Sequence, residues 1–146
     1  MRALIQRVFE AKVVVEGQIT GEIQQGLLVF LGLGKADTLE KGQKLIDKLL
    51  KYRIFDDENG KMGWSVTQAQ GGILLVSQFT LMANTQKGLR PDFSPAMPPA
   101  EAEALYQQLV DYTRLHFPQV QVGVFAADMK VYLVNDGPVT FNLEIE

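Results

Sequence analysis

The chain has 146 residues, of which 47% are hydrophobic, and this size and composition predict one domain, residues 1–146, with an ordinary apolar core. It has one histidine and no cysteine, which excludes disulfides, thiolate metal sites and cysteine nucleophiles. The net charge of −3 gives no overall attraction to nucleic acid, and no apolar run is long enough to span a bilayer. The N-terminus turns polar too soon for a signal peptide, so we expect a cytoplasmic protein with neither a membrane nor DNA as a partner.

The first part of the chain predicts three strands and a helix. Segments rich in Val, Ile and Leu, separated by turn residues, predict strands at 2–8 with 11–15, at 18–23 and at 27–31. The last of these is a continuous apolar run, typical of a strand buried on both faces. Asp37 and Glu40 form a capping-box pattern, which predicts a helix from about Thr38 to Tyr52 with Asp37 as its N-cap.

The second part of the chain predicts a long strand, a helix and three short strands. In chain order these are a strand at 72–81, a helix that starts at Pro98-Pro99 and ends before Pro118, and strands at 120–124, 130–134 and 139–145. The order is therefore β-β-β-α-β-α-β-β-β. It predicts a mixed α/β protein in which two helices cover largely antiparallel β layers.

Two polar stretches are candidates for the functional site, and we expect them to meet. The run Ile73–Val76 is apolar and is followed by Ser77, Gln78, Phe79 and Thr80, so a buried strand ends by presenting polar side chains. The other stretch runs from Asn135 to Phe141 and contains Gly137-Pro138. Its simplest interpretation is a hairpin turn between the last two strands, and the functional alternative is that its backbone carbonyls form a pocket wall.

The common catalytic sets are missing. His116 is predicted at the C-terminus of a helix, where the dipole favours a cation, so a helix-end role is the simpler interpretation than a triad with Ser77. The chain has no G-x-S-x-G elbow, no P-loop and no pair of metal ligands. Either the protein only binds a ligand, or it cleaves a reactive bond such as an ester. Backbone N–H groups near Phe79 and Thr80 could then stabilise the oxyanion.

Basic residues occur at two places. Four lysines share the outer face of the first predicted helix, and two further cations lie in the long connection 84–99. The residues are Lys41, Lys44, Lys48 and Lys51 on the helix, and Lys87 and Arg90 in the connection. A charged helix face is usually only solvated, and the alternative is a phosphate-binding surface.

The residues now described resemble the D-aminoacyl-tRNA deacylase family. The resemblance rests on Ser77–Leu81 together with Asn135–Phe141, and it extends to Met1–Val8, Tyr52–Phe55 and Lys87–Phe93. Motif order and spacing match over essentially the whole chain. The resemblance implies a hydrolase that cleaves the ester between a D-amino acid and the 3′ end of tRNA, and also glycyl-tRNA(Ala). It implies a homodimer with active sites at the interface, no cofactor and no metal.

The resemblance also implies roles for individual residues. Gly137 and Pro138 would be joined by a cis bond and would reject L-amino acids in the partner's pocket, and Arg7 would hold them in place. The pocket itself would be formed by Ser77, Gln78, Phe79, Thr80, Phe125 and Met129. Catalysis would be assisted by the 2′-hydroxyl of the tRNA, with Thr80 positioning the substrate. A nucleotide-binding module without catalysis and a serine esterase that uses His116 are the competing hypotheses.

Overall fold

The computed structural model describes residues 1–145. It contains eight strands, two α-helices and one short 3₁₀ helix. The strands are β1 Arg2–Val15, β2 Gln18–Ile23, β3 Gly26–Gly32, β4 Phe55–Asp56, β5 Met62–Trp64, β6 Gly72–Ser77, β7 Val120–Val122 and β8 Lys130–Glu144. The helices are α1 Leu39–Lys51 and α2 Pro99–His116, and the 3₁₀ helix is Phe79–Met82. The mixed α/β class is confirmed, with both helices within about one residue of their predicted positions.

A six-stranded sheet organises the molecule. Its order is β2-β1-β3-β6-β7, and β8 pairs along the other edge of β1. The pairings of β1 with β2, β3 and β8 are antiparallel, whereas β3–β6 and β6–β7 are parallel. The sheet curls so far that β2 approaches β7, because a Cβ added to Gly21 would lie 2.6 Å from the Val122 carbonyl oxygen. Only a glycine permits this approach.

The curled sheet has two apolar cores, one on each face. Alternate side chains of β6 divide between them: Ile73 and Leu75 join the core under the helices, while Leu74 and Val76 point into the curl. Each buried aliphatic side chain of this kind contributes about 1.5–3 kcal/mol. The prediction that this strand is buried on both faces is therefore confirmed, and it explains why the strand is continuously apolar.

Helix α1 packs on α2 through a glycine, since a Cβ on Gly42 would collide with the side chain of Leu109. The predicted N-cap of α1 is wrong by one residue. Thr38 is the N-cap and accepts a hydrogen bond from the Lys41 N–H, while Asp37 accepts from the Gly34 N–H at 2.6 Å and pairs with the amino group of Met1 at 2.8 Å. The tertiary partners of Asp37 thus displace the capping box.

Strand β6 is shorter than predicted, because it ends at Ser77 and the chain then enters the 3₁₀ helix. The predicted hairpin around Gly137-Pro138 is also wrong. Both strand signals belong to the single strand β8, which pairs with β1 on both sides of this motif. Four residues of β8, Asp136–Val139, stand opposite Arg7 alone, so the chain forms a large bulge instead of a turn. A bulge is one of the few places where a sheet accepts proline.

Candidate functional site

A cleft of about 610 Å³ opens where β6 ends, between the N-terminus of α2 and the segment 125–129. Its walls are mostly apolar, with polar groups at the end of β6. Five of the predicted site residues line it, namely Ser77, Gln78, Phe79, Phe125 and Met129. Such a shape, apolar with a few convergent polar groups, is typical of a small-molecule site.

The cleft has a polar wall where the apolar residues of β6 give way to polar ones at the end of the strand. The Gln78 N–H still pairs with the Leu31 carbonyl, and the chain then bends into the 3₁₀ helix. This bend leaves Phe79 57% exposed, with its ring against the edge of Phe93 at a centroid distance of 5.0 Å. The two aromatic rings therefore form a wall at the mouth of the cleft.

Two backbone donors are free at this point. The N–H groups of Phe79 and Thr80 begin the 3₁₀ helix and make no hydrogen bond within residues 1–145. The Gln78 amide donates to the Thr80 hydroxyl oxygen, which fixes both side chains relative to each other. Thr80 itself lies beside the cleft and does not line it. The bend thus offers N–H donors at the polar wall, next to a tethered hydroxyl.

The opposite wall is held by packing on the core. Phe125 lies against Tyr106 at a centroid distance of 5.8 Å, and the Tyr106 hydroxyl donates to the Leu75 carbonyl at 3.1 Å. Burial raises the pKa of Tyr106 far above its usual value, so this donor stays protonated. Gly123 makes room for Met129, because a Cβ there would lie 2.7 Å from the Met129 sulfur.

The Pro-rich connection supplies a wall that the sequence did not assign. Its last part and the first turn of α2 contribute Phe93, Ala96, Met97, Pro98, Pro99 and Ala102 to the lining. A connection of this length without regular secondary structure is often functional. Backbone pairing with the loop after β3 determines which residues of the connection face the cleft. In this pairing the Lys35 N–H donates to the Pro95 carbonyl, and the Met97 N–H donates to the Leu33 carbonyl.

The second predicted stretch lies on the bulge of β8. The Gly137-Pro138 bond is cis, and both residues are exposed. Arg7 is 7% exposed and its guanidinium holds the base of the bulge: Nε donates to the Asp136 carbonyl at 2.9 Å, and Nη1 donates to the Ile54 carbonyl at 2.9 Å. Arg7 also contacts the Asp56 carboxylate at 3.3 Å.

The cleft and the bulge do not meet within one chain. Three strand spacings separate β8 from β6, about 14 Å across the sheet, and neither Gly137 nor Pro138 lines the cleft. The expectation that the two stretches meet is therefore wrong for a single copy of the chain. The exposed bulge lies outside its own cleft and is available to another molecule.

His116 is too far away to act in the cleft. It ends α2, whereas the first turn of α2 lines the cleft, and an 18-residue helix is about 27 Å long. Its Nδ1 contacts the Tyr112 carbonyl at 2.9 Å, and its ring packs on Tyr112. The geometry thus removes the serine esterase hypothesis.

Residues 1–145 contain no group of three or more potential metal ligands from His, Cys, Asp and Glu. No helix in this range is long and apolar enough to cross a membrane.

The basic residues form two separate surfaces. Lys87 and Arg90 lie near the tip of a finger, residues 84–92, that is closed by backbone hydrogen bonds between Asn84 and Asp92. The other surface is the outer face of α1. There Lys44 pairs with Glu40 at 3.6 Å, Lys48 lies over the Tyr52 ring and Lys41 donates to the Ala36 carbonyl. Only the finger adjoins the cleft, through Phe93.

Comparison with known proteins places the whole chain in one group. The sequence pattern of the family described as D-Tyr-tRNA(Tyr) deacylase matches residues 4–144. The chain is 80% identical over 146 residues to a protein of Acinetobacter baumannii (strain ACICU) named D-aminoacyl-tRNA deacylase, covering 100% of this chain and 99% of that protein. A protein of the same name from Psychrobacter sp. (strain PRwf-1) is 56% identical over 145 residues, with coverage of 99% for both chains.

Two solved structures share the fold. One is titled "c-Myc DNA Unwinding Element Binding Protein"; it has a TM-score of 0.96 and 40% identity, covering 100% of this chain and 99% of that one. The other is titled as a probable eukaryotic D-amino acid tRNA deacylase; it has a TM-score of 0.85, covering 97% of this chain and 98% of that one. The second is only 16% identical, so it supports the fold alone.

Proposed function

This chain belongs to the D-Tyr-tRNA(Tyr) deacylase family and is a hydrolase of ester bonds, and we propose that its cleft hydrolyses D-aminoacyl-tRNA. Water adds to the carbonyl carbon of the aminoacyl ester, and the bond to the 3′-oxygen of the terminal adenosine breaks. The products are the free D-amino acid and tRNA with a 3′-hydroxyl. Such an editing enzyme acts in the cytoplasm, where tRNA is charged.

The observation that carries the proposal is the composition of the cleft. Its polar wall is Ser77, Gln78 and Phe79, and the opposite wall includes Phe125 and Met129, so five of the six pocket residues that the resemblance implies line one space. A volume of about 610 Å³ is large enough for an amino acid esterified to one nucleoside. The aromatic pair Phe79–Phe93 at the mouth offers a surface on which an adenine could stack.

No histidine lies near the cleft, and the proposed chemistry relies on backbone groups and on the substrate itself. The unpaired N–H groups of Phe79 and Thr80 would stabilise the oxyanion that forms when water attacks the ester. The 2′-hydroxyl of the terminal adenosine would orient the water, take up the proton that the water loses and give its own proton to the departing 3′-oxygen. Thr80 would help to position the substrate through Gln78, to which its hydroxyl is tethered, and would not attack the ester.

The mechanism is tested with D-tyrosyl-tRNA whose terminal adenosine lacks the 2′-hydroxyl. We expect turnover to fall about 100-fold or more, within the range that a positioned proton-transfer group contributes. The intact tRNA is the control for the ester, and competition binding checks that the modified tRNA still binds. Equal turnover of the two tRNAs would mean that a protein group performs the proton transfer.

Selection by chirality would come from the Gly137-Pro138 bulge of a second copy of the chain. The bulge is exposed and cannot reach its own cleft, so we propose a homodimer in which each bulge closes the partner's cleft. The carbonyl oxygens of the motif would leave no room for an L-side chain, which is selection by exclusion. Glycine has no side chain to exclude, so glycyl-tRNA(Ala) would also be a substrate.

The finger is the proposed contact for the tRNA backbone. It adjoins the cleft through Phe93, and its cations Lys87 and Arg90 are exposed, so they can meet phosphates of the single-stranded 3′ end. The α1 lysines lie on another surface and have contacts of their own, and we take them as the comparison.

Replacing both finger cations by alanine should weaken tRNA binding and reduce its salt dependence. Each phosphate contact on a single strand contributes about 0.7 to the slope of log K against log salt, so the slope should fall by about 1.4. The matched control removes two cations from α1, Lys44 and Lys48. The measurement is the affinity of each variant for tRNA by filter retention, at salt concentrations from low to physiological. An equal loss from both double variants, or none from the finger, would refute the assignment.

A further inference from the structure

The bulge of β8 lacks the strand partners that its backbone would normally have. Between the pairs Val8–Asn135 and Gln6–Thr140, β1 contributes only Arg7, so the four residues Asp136–Val139 cannot all pair with β1. Backbone groups that leave a ladder need other partners. Arg7 supplies one at the start of the bulge, on the Asp136 carbonyl.

The side chain of Asn135 supplies the partners at the other end. Its Oδ1 accepts from the Val139 N–H at 2.6 Å, and its Nδ2 donates to the Val139 carbonyl at 3.2 Å. Nδ2 also donates to the Thr140 hydroxyl at 3.1 Å. The amide therefore spans the bulge from the residue before it to its last residue, and it pairs with both polar groups of the Val139 backbone as a neighbouring strand would.

Val139 is a suitable anchor, because its side chain is 5% exposed and belongs to the core under the helices. The Asn135 contacts thus connect a rigid point of the core to the start of the bulge. Gly137 and Pro138 form the exposed tip between the two ends. Any freedom in the distance between residues 135 and 139 would become movement of the Gly137 and Pro138 carbonyls.

We infer that Asn135 is a positioning residue for selectivity, the second of two side chains that fix the Gly137-Pro138 tip. Arg7 holds the Asp136 carbonyl, and Asn135 holds both backbone groups of Val139. This inference rests on the proposed function, since it assigns the tip its role in rejecting L-amino acids. An exclusion filter acts by the position of its oxygens, so a loosened tip admits L-esters before it impairs D-ester hydrolysis.

The test compares Asn135→Ala with Asn142→Ala. Asn142 lies on the same strand opposite Leu4, is exposed and stands outside the bulge. We expect N135A to lower the ratio of D-ester to L-ester hydrolysis about tenfold, the change that one or two ordinary hydrogen bonds can produce. The loss should come from faster L-ester hydrolysis, with kcat for the D-ester nearly kept. N142A should match the wild-type protein.

Amide hydrogen exchange at Val139 gives a second readout that does not depend on activity. Exchange should be faster in N135A than in the wild type and unchanged in N142A. Asn135→Asp keeps the acceptor for the Val139 N–H and gives up the donors. The exchange rate of Val139 in N135D should therefore lie between the rates in the wild type and in N135A. An N135D protein as unprotected as N135A would overturn the assignment of the Val139 N–H contact.

The outcomes separate this inference from the proposed function. A wild-type protein that leaves D-esters intact would refute the proposed function. Hydrogen exchange at Val139 would still show whether Asn135 protects the Val139 N–H. Unchanged exchange at Val139 in N135A would overturn the contacts themselves. Faster exchange with an unchanged D-to-L ratio, or an equal fall in both rates, would overturn the positioning role.

Discussion

Gly137→Ala should abolish most of the discrimination between D- and L-aminoacyl esters. Gly137 has φ = +146°, a region that side chains other than glycine rarely adopt. An added Cβ would also lie 2.6 Å from the Val139 Cγ2 and 2.9 Å from the Val139 nitrogen, which the core holds in place. The bulge must therefore move. A backbone strain of about 1–3 kcal/mol corresponds to a change of about 5- to 150-fold in the ratio of the two rates.

Gly17→Ala is the matched control for this variant. Gly17 also has positive φ, +78°, in the β1–β2 turn, but an added Cβ would meet nothing within 4 Å. It carries a backbone penalty without touching the bulge. Rates on D- and L-tyrosyl-tRNA, together with the mass of the protein in solution, should separate the two variants. If G137A kept both the wild-type selectivity and the dimer mass, Gly137 would not belong to the filter.

Ser77→Leu should stop hydrolysis of D-aminoacyl-tRNA. Ser77 is the last residue of β6, and its small side chain lines the cleft where the strand ends. The strand is fixed by the core on both faces, so a leucine at this position has to occupy the space that the amino acid needs. Displacement of a substrate by about 1 Å can cost about 100-fold in rate, and a larger loss is expected here. The measurement is kcat/KM on D-tyrosyl-tRNA, with thermal unfolding as the check on folding.

Ser77→Ala distinguishes the space at this position from the hydroxyl. His116, the single histidine, lies at the far end of α2 and cannot activate the hydroxyl, so removing the hydroxyl should cost at most one hydrogen bond to the substrate, about tenfold or less. Wild-type turnover by S77L would show that the amino acid binds elsewhere. Complete loss in S77A would show that Ser77 acts chemically.

Most of the fold was predictable because the strongest patterns are local. The apolar run 73–76 predicted a strand buried on both faces, and it contributes alternately to the two cores. Pro98-Pro99 predicted the start of α2, because proline suits the first turn of a helix. The turn residues that separate the first two predicted strands are Glu16 and Gly17, and both have positive φ in the structure.

The wrong predictions about the fold, the N-cap of α1 and the hairpin around Gly137-Pro138, have tertiary causes. Asp37 satisfies the capping pattern, but its carboxylate is taken by the Gly34 N–H and the Met1 amino group, which are distant in sequence or outside the helix. The hairpin around Gly137-Pro138 is the usual structure for such residues between two strands. It is replaced by a bulge because β1 is long enough to pair with both halves of β8. The length of a partner strand is not encoded in the turn residues themselves.

The candidate site was predictable where it is contiguous in sequence. Ser77, Gln78 and Phe79 line the cleft, together with Phe125 and Met129. The wall from Phe93 to Ala102 was missed, since its orientation depends on backbone pairing with the loop after β3. The separation of the bulge from the cleft also could not be predicted, because it follows from the order of the strands.

The most direct test of the proposed function is the hydrolysis of D-tyrosyl-tRNA and L-tyrosyl-tRNA by the purified wild-type protein, without added metal. We expect rapid release of D-tyrosine while the L-ester decays only at its spontaneous rate. Equal hydrolysis of both esters would contradict the role of the Gly137-Pro138 bulge. Hydrolysis of neither ester would contradict the assignment of the cleft to D-aminoacyl-tRNA.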